Sequence, residues 1–233
     1  MLIQGFRDAA AADMEENCDA LFVCASLNII YVFGMYGWIH DAEANENARR
    51  SRVLGGDWVP MVRGVAIFLR PHEHKLRSGP LAPLLDIASF ITIDLEHDAG
   101  AEDTVLQTLS STWRDSPSTT VYEESLQLLR RCYAHMNKSS KALPGDRSSY
   151  HDQTLSAPMI WICLAPEEYF TLLAQRQPPA LILFEYVAVL FHRLDDYWFF
   201  KGWGQSIVKA VDELLGDYWQ SWTRWPKECT STD

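Results

Sequence analysis

One long apolar segment limits the folds that this 233-residue chain can adopt. Pro178 and Pro179 suit the first turn of a helix, where a missing N–H costs nothing, and no helix breaker follows until after Phe200. At 100° per residue, apolar side chains cover almost the whole circumference of the predicted helix 180–200. Such a helix has to be buried on most sides, so the sequence predicts a fold in which other helices surround it.

A polar strip runs along this predicted helix. Glu185, His192 and Asp196 follow spacings of seven and four and therefore lie on one side of it. A carboxyl group in an apolar site has a raised pKa and can donate a proton near neutral pH, as can a protonated histidine. Asp196 and His192 are therefore the predicted catalytic acids, with Glu185 as their orienting neighbour. The alternative is a structural strip that faces solvent or a neighbouring helix.

Aromatic residues and glycines cluster at the end of the same segment, where the sequence KGWG is predicted to end the helix and turn the chain. Aromatic faces attract cations by about 0.5–2 kcal/mol each. The predicted ligand-binding residues are Phe191, Tyr197, Trp198, Gly202, Trp203 and Gly204. The alternative is that these rings belong to the core or to an interface.

A second apolar segment, residues 19–38, approaches the length of a membrane span. Ser26 and Asn28 interrupt it, and acidic residues rather than Lys or Arg flank it. We therefore predict a central buried helix and no membrane span.

The remaining chain predicts further helices with short connections. No segment has a convincing strand pattern, and no internal repeat or heptad run is present. Two polar stretches, near residues 94–103 and 137–154, predict mobile loops. The sequence thus predicts one all-α domain over residues 1–233, a helical array around long and nearly all-apolar central helices.

Composition excludes several function classes. The formal net charge of −11 provides no electrostatic footprint for direct nucleic acid binding. The five cysteines form no C-x-x-C pair, and no secretory signal is visible, which together predict an intracellular protein with reduced thiols. Short His and acidic runs at 72–74 and 94–98 have metal-ligating residue types, but they are typical of exposed loops, so neither a metal nor a cofactor is predicted.

An ordered set of segments resembles one known family. These are ENCDALFVCASLNIIYVFG at 16–34, DWVPMVRGVAIFL at 57–69, GPLAPLL at 79–85 and EEYFTLLAQRQPPALILFEYVAVLFHRLDDYWFFKGWG at 167–204. They cover well over half of the chain in the family's order. The family is the C-terminal regulatory domain of fungal zinc-cluster transcription factors, in particular the sterol uptake control type.

The resemblance implies a helical domain that holds a hydrophobic small molecule, sterol or isoprenoid-like. It places the apolar pocket for this molecule between helices 19–38 and 180–200, near the KGWG turn. The six-cysteine zinc cluster with which that family binds DNA is absent from this sequence. Two hypotheses follow, and the first is preferred. The first is a stand-alone cytoplasmic enzyme of fungal secondary metabolism, an isomerase or cyclase that performs cofactor-free, acid-assisted rearrangement of an isoprenoid-bearing metabolite, for example by epoxide opening. The second is a sterol- or lipid-responsive domain for transcription regulation, nuclear and lacking its DNA-binding part. Homodimer formation is left open.

Overall fold

The computed structural model of the protein describes residues 17–38, 46–82, 88–140 and 153–231. These residues form α-helices joined by turns and short 3₁₀ segments, without a β-strand among them, which confirms the all-α prediction. In chain order the helices are α1 (Cys18–Trp38), α2 (Glu46–Val53), α3 (Trp58–Leu69), α4 (Glu73–Ser78), α5 (Ala88–Ile91), α6 (Leu95–Asp98), α7 (Asp103–Thr108), α8 (Thr119–Ser140), α9 (Gln153–Leu164), α10 (Glu167–Ala174), α11 (Pro178–His192), α12 (Trp203–Leu214) and α13 (Gln220–Thr230).

Helix α11 is the centre of the fold. It begins with Pro178 and Pro179, and every residue from 180 to 191 is buried. Helices α8, α9, α10, α12 and α13 all pack against it. A helix that is apolar on all sides is most stable when other helices enclose it, because its whole hydrophobic surface is then removed from water. Helix α11 is enclosed in this way.

The predicted helix 180–200 is too long, because α11 ends at His192. Beyond that residue the backbone bonds tighten to three-residue spacing, as in the bond from Asp195 N to the His192 carbonyl at 3.1 Å. The Asp195 carboxylate then accepts a hydrogen bond from Gly202 N at 3.1 Å, which closes the turn before α12. This turn places Leu194 and Phe200 in the core without continuing the helix.

Helix α1 is peripheral, so the prediction of a central buried helix is wrong in its position. It packs on α3 through one face, while the opposite face leaves Val23, Leu27 and Tyr31 between 39% and 61% exposed. Its stretch Cys18–Met35 is the one described helix that is long and apolar enough to cross a membrane, and 33% of that stretch is buried within the protein.

Both predicted loops contain helix. Within 94–103, α6 occupies Leu95–Asp98, and the Asp94 carboxylate caps it by accepting a hydrogen bond from Glu96 N at 3.0 Å. Within 137–154, α8 continues through Ser140 and α9 starts at Gln153. The intervening residues 141–152 lie outside the described part of the chain.

Candidate functional site

Glu185 is the most unusual of the predicted site residues. Its side chain is fully buried in α11, and in the described part of the chain neither carboxyl oxygen has a hydrogen-bond partner. Burial raises the pKa of the Glu185 carboxyl to about 9, and the nearby Asp212 carboxylate adds to this against the opposing effect of Lys227. A pKa of this size keeps the proton on the carboxyl at neutral pH, whereas the sequence hypothesis gave Glu185 an orienting role and the role of acid to His192 and Asp196.

The structure does not bring the three predicted catalytic residues together. Glu185 and His192 are two helical turns apart, a rise of about 10.5 Å. The neighbour of His192 is instead Asp195, whose Oδ2 lies 3.0 Å from His192 Nδ1. Asp196 is exposed in the turn that follows the helix. Because α11 ends early, the polar strip predicted from helical spacing does not exist beyond His192.

Aromatic side chains fill the space where the apolar pocket was expected. Phe33 of α1 contacts Phe191 of α11 at a ring-centroid distance of 5.7 Å and Trp203 at 5.0 Å. Trp203 also donates a hydrogen bond from Nε1 to the Phe33 carbonyl at 3.0 Å. Trp58 and Phe200 complete this buried group. Phe191 and Trp203 thus join α1 to α11 and α12 as core residues.

The other predicted ligand-binding residues are dispersed. Tyr197 is half-buried, and Trp198 is 62% exposed with its ring against Gly34. Gly202 has a φ of +79°, which favours glycine, and it precedes α12. Gly204 allows close packing of α12 on α11, since a Cβ there would lie 2.5 Å from the His192 Cβ. The glycines of KGWG therefore shape the backbone at this turn.

A cleft of about 210 Å³ lies elsewhere, between the turn after α2 and helix α10. We call it the Gly55 cleft. Most of its lining side chains are apolar, with Ser51 and Arg176 as the polar exceptions, and no Asp or Glu is among the described residues that line it. The lining residues are Ser51, Leu54, Gly55, Gly56, Val59, Pro60, Phe170, Leu173, Ala174 and Arg176.

Local interactions hold both walls of the Gly55 cleft in place. Gly55 has a φ of +95°, which turns the chain sharply from α2 into α3. The Arg63 guanidinium, from α3, stacks over the Phe170 ring of α10 at 4.8 Å, and this contact joins the two walls. Arg63 Nη1 also donates hydrogen bonds to the Ile162 and Ala165 carbonyls at 2.9 and 2.8 Å, which tie α3 to the end of α9.

Arg176 lies at the edge of the Gly55 cleft and is exposed. Its φ is +57°, and it is the one residue other than glycine with a positive φ in the described chain. Among the described residues, its guanidinium has no hydrogen bond, ion pair or ring contact. The cleft therefore combines an apolar interior with an uncompensated cation.

A second cleft, of about 480 Å³, is more open and more polar. The 3₁₀ segment Leu109–Thr112 and the start of α8 line it with hydroxyl groups, many of which already donate to backbone carbonyls. Neither cleft is lined by Glu185, His192 or Asp196. Within the residues that the structure describes, no three His, Cys, Asp or Glu side chains are placed to hold a metal ion.

Comparison of the chain with protein-family models, with curated proteins and with solved structures finds no match. The resemblance to fungal zinc-cluster regulators therefore stays a prediction. The residues of the Gly55 cleft were not predicted as a site. The one available signal was the Gly55-Gly56 pair, which indicates a sharp turn, whereas Arg176 comes from a segment about 120 residues later.

Proposed function

We propose that this protein binds a small, mainly apolar molecule in the Gly55 cleft. The observation that supports this proposal is the lining: aliphatic and aromatic side chains from two helices and a turn, with a few polar groups at one edge. Small-molecule sites in proteins have this composition, mostly apolar with a small number of orienting polar groups. The binding function agrees with both hypotheses drawn from the sequence.

The size of the cleft favours a ligand smaller than the sterol that the resemblance implies. Pockets for drug-sized ligands measure about 300–1,000 Å³, whereas the Gly55 cleft measures about 210 Å³. A short alkyl chain or a single substituted ring is therefore the proposed ligand.

Of the two roles considered, we favour a ligand-responsive binding domain. Ligand in the cleft would contact α10 and the α2–α3 turn together, and α10 is followed directly by the central helix α11. Ligand binding could thus alter the packing around α11 without any chemical step. Under the resemblance, such a domain would act in transcription regulation.

Acid-assisted rearrangement is a second candidate function, and Glu185 is the observation that favours it. Its carboxyl is protonated at neutral pH and lies in an apolar environment. Because Glu185 is fully buried, catalysis would require the helices around α11 to open and admit the substrate. Incubation with a terpenoid epoxide, followed by chromatography, tests the candidate: an isomer formed by the wild type and lost in Glu185→Gln supports it, and an unchanged epoxide rejects it.

The binding proposal is tested by filling the cleft. Ala174 is exposed at its edge, so Ala174→Trp adds a ring to the cleft without entering the core. Ala101, exposed in the turn before α7, supplies the control Ala101→Trp. With 1-octanol as the probe, calorimetry should show binding to the wild type and the control, and a loss of about tenfold or more in Ala174→Trp. Equal affinities in all three proteins would contradict the proposal.

A further inference from the structure

Helix α10 ends in a hydrogen-bonded motif that normally contains glycine. Arg176 N donates to the Leu173 carbonyl at 2.9 Å, and Gln177 N donates to the Leu172 carbonyl at 3.0 Å. These two bonds define a Schellman motif, in which the residue after the C-cap takes the left-handed conformation. That residue is usually glycine, because a side chain there clashes with the backbone.

An arginine at this position is an outlier that calls for a compensating gain. Strained backbone positions cluster at ligand-binding sites, where the side chain provides something that glycine cannot. The Arg176 side chain lines the Gly55 cleft and has no partner among the described residues. The packing of the described residues therefore does not account for the arginine, whereas a ligand in the cleft would.

The charge at the cleft indicates the chemistry of that ligand. The chain has a formal net charge of −11, yet among the described residues that line this cleft there is one cation and no carboxylate. A planar guanidinium with its donors free matches a carboxylate, which it can bind through two parallel hydrogen bonds. The apolar wall formed by Val59, Phe170 and Leu173 would take the hydrocarbon part.

From these observations we infer that the Gly55 cleft selects a small apolar carboxylic acid, in its ionised form, and that Arg176 binds the carboxylate. This inference rests on the proposed binding function and adds the ligand class to it. The hydrocarbon part lies on α10 and the α2–α3 turn, and the carboxylate remains at the solvent edge. Since that edge is exposed, the attraction is screened by salt.

Two probes of equal chain length separate the contribution of the ligand's charge to the affinity from that of its apolar contacts. Sodium octanoate and 1-octanol are titrated by calorimetry into the wild type, Arg176→Gln and Ala174→Trp, with Arg114→Gln as a control at an exposed arginine outside this cleft. The wild type should bind octanoate about two- to fivefold more tightly than octanol, the range expected for an exposed charge-assisted pair. Arg176→Gln should remove that preference and leave octanol binding unchanged. Raising the salt concentration should weaken the binding of octanoate and leave that of octanol unchanged.

Each contrary result has a separate meaning. Equal binding of both probes, unaffected by Arg176→Gln but lost in Ala174→Trp, would overturn the carboxylate inference and leave the binding proposal intact. No binding of either probe, or binding that Ala174→Trp does not weaken, would overturn both. Arg176→Gly serves as a second variant, since glycine suits the backbone at this position and should also remove the preference. A circular dichroism melt of every variant verifies that it is folded.

Discussion

Replacing Arg176 with glycine should stabilise the protein while it weakens carboxylate binding. The left-handed conformation costs a residue with a side chain about 1–2 kcal/mol. Glycine avoids this cost, but it makes the unfolded chain more flexible. The additional entropy lost on folding offsets about 0.4–1 kcal/mol of the gain in stability. The φ of +57° at Arg176 is therefore expected to give Arg176→Gly a net gain of about 0.5–1 kcal/mol in the free energy of unfolding.

Urea and thermal unfolding measure this gain. For a chain of about this length, 1 kcal/mol corresponds to a rise of roughly 2–4 °C in Tm. Arg176→Ala is the matched control, because it removes the charge but retains the Cβ, and its stability should stay within about 0.5 kcal/mol of the wild type. The reasoning is refuted if Arg176→Gly is no more stable than Arg176→Ala, since the backbone would then not be strained at this position.

Two further predictions concern the packing around α11. The pKa of Glu185 is about 9 in the folded protein and near 4.5 when unfolded, so its contribution to stability is complete below pH 4.5 and is lost as the pH rises toward 9. Between pH 5 and 8, the free energy of unfolding of Glu185→Gln, measured in urea, should therefore rise relative to that of the wild type by about 1 kcal/mol per pH unit. If the two free energies change in parallel with pH, the carboxyl is not buried as the structure shows. Gly204→Ala should cost about 1–3 kcal/mol because its Cβ would lie 2.7 Å from the Ala188 carbonyl oxygen. At Gly202 a Cβ would meet no neighbouring atom, but the φ of +79° disfavours a side chain, so Gly202→Ala should cost about 1 kcal/mol. If thermal melts show that Gly202→Ala is the more destabilising of the two substitutions, α12 does not pack closely on α11.

The sequence predicted the elements whose signals are local and strong. The apolar circumference of α11 and the Pro178-Pro179 start identified a buried helix, and the structure buries residues 180–191 completely. The end of that helix was not predictable in the same way. Leu194 and Phe200 continue the apolar pattern, but they reach the core through a turn that the Asp195 carboxylate closes onto Gly202 N. A side-chain hydrogen bond that closes a turn leaves no periodic signal in the sequence.

Helix α1 illustrates a different limit. Its apolar composition is the same on all faces, and only its position in the bundle decides which face is buried. Phe33 is in the core and Tyr31 is 61% exposed, although both are aromatic and two positions apart. Composition therefore predicted a helix here, but not its peripheral location.

The candidate site was the least predictable part of the molecule. Its walls come from residues 51–60 and 170–176, which are far apart in the chain and meet only after α3 and α10 have packed through Arg63 and Phe170. Arg176 could not be recognised either, because a positive φ at an arginine has no sequence signature. The residues that were predicted from chemistry, Glu185 and His192, are conspicuous as polar groups in an apolar segment, yet helix geometry places them two turns apart.

The most direct test of the account is to locate a bound ligand. Intermolecular nuclear Overhauser effects can be recorded between sodium octanoate and the methyl groups of the isotope-labelled full chain. We expect contacts from the octanoate chain to the methyl groups of Leu54, Val59 and Leu173, together with chemical-shift changes at the Arg176 side chain. Contacts confined to other residues, or none at ligand saturation, would contradict the claim that the Gly55 cleft is the binding site.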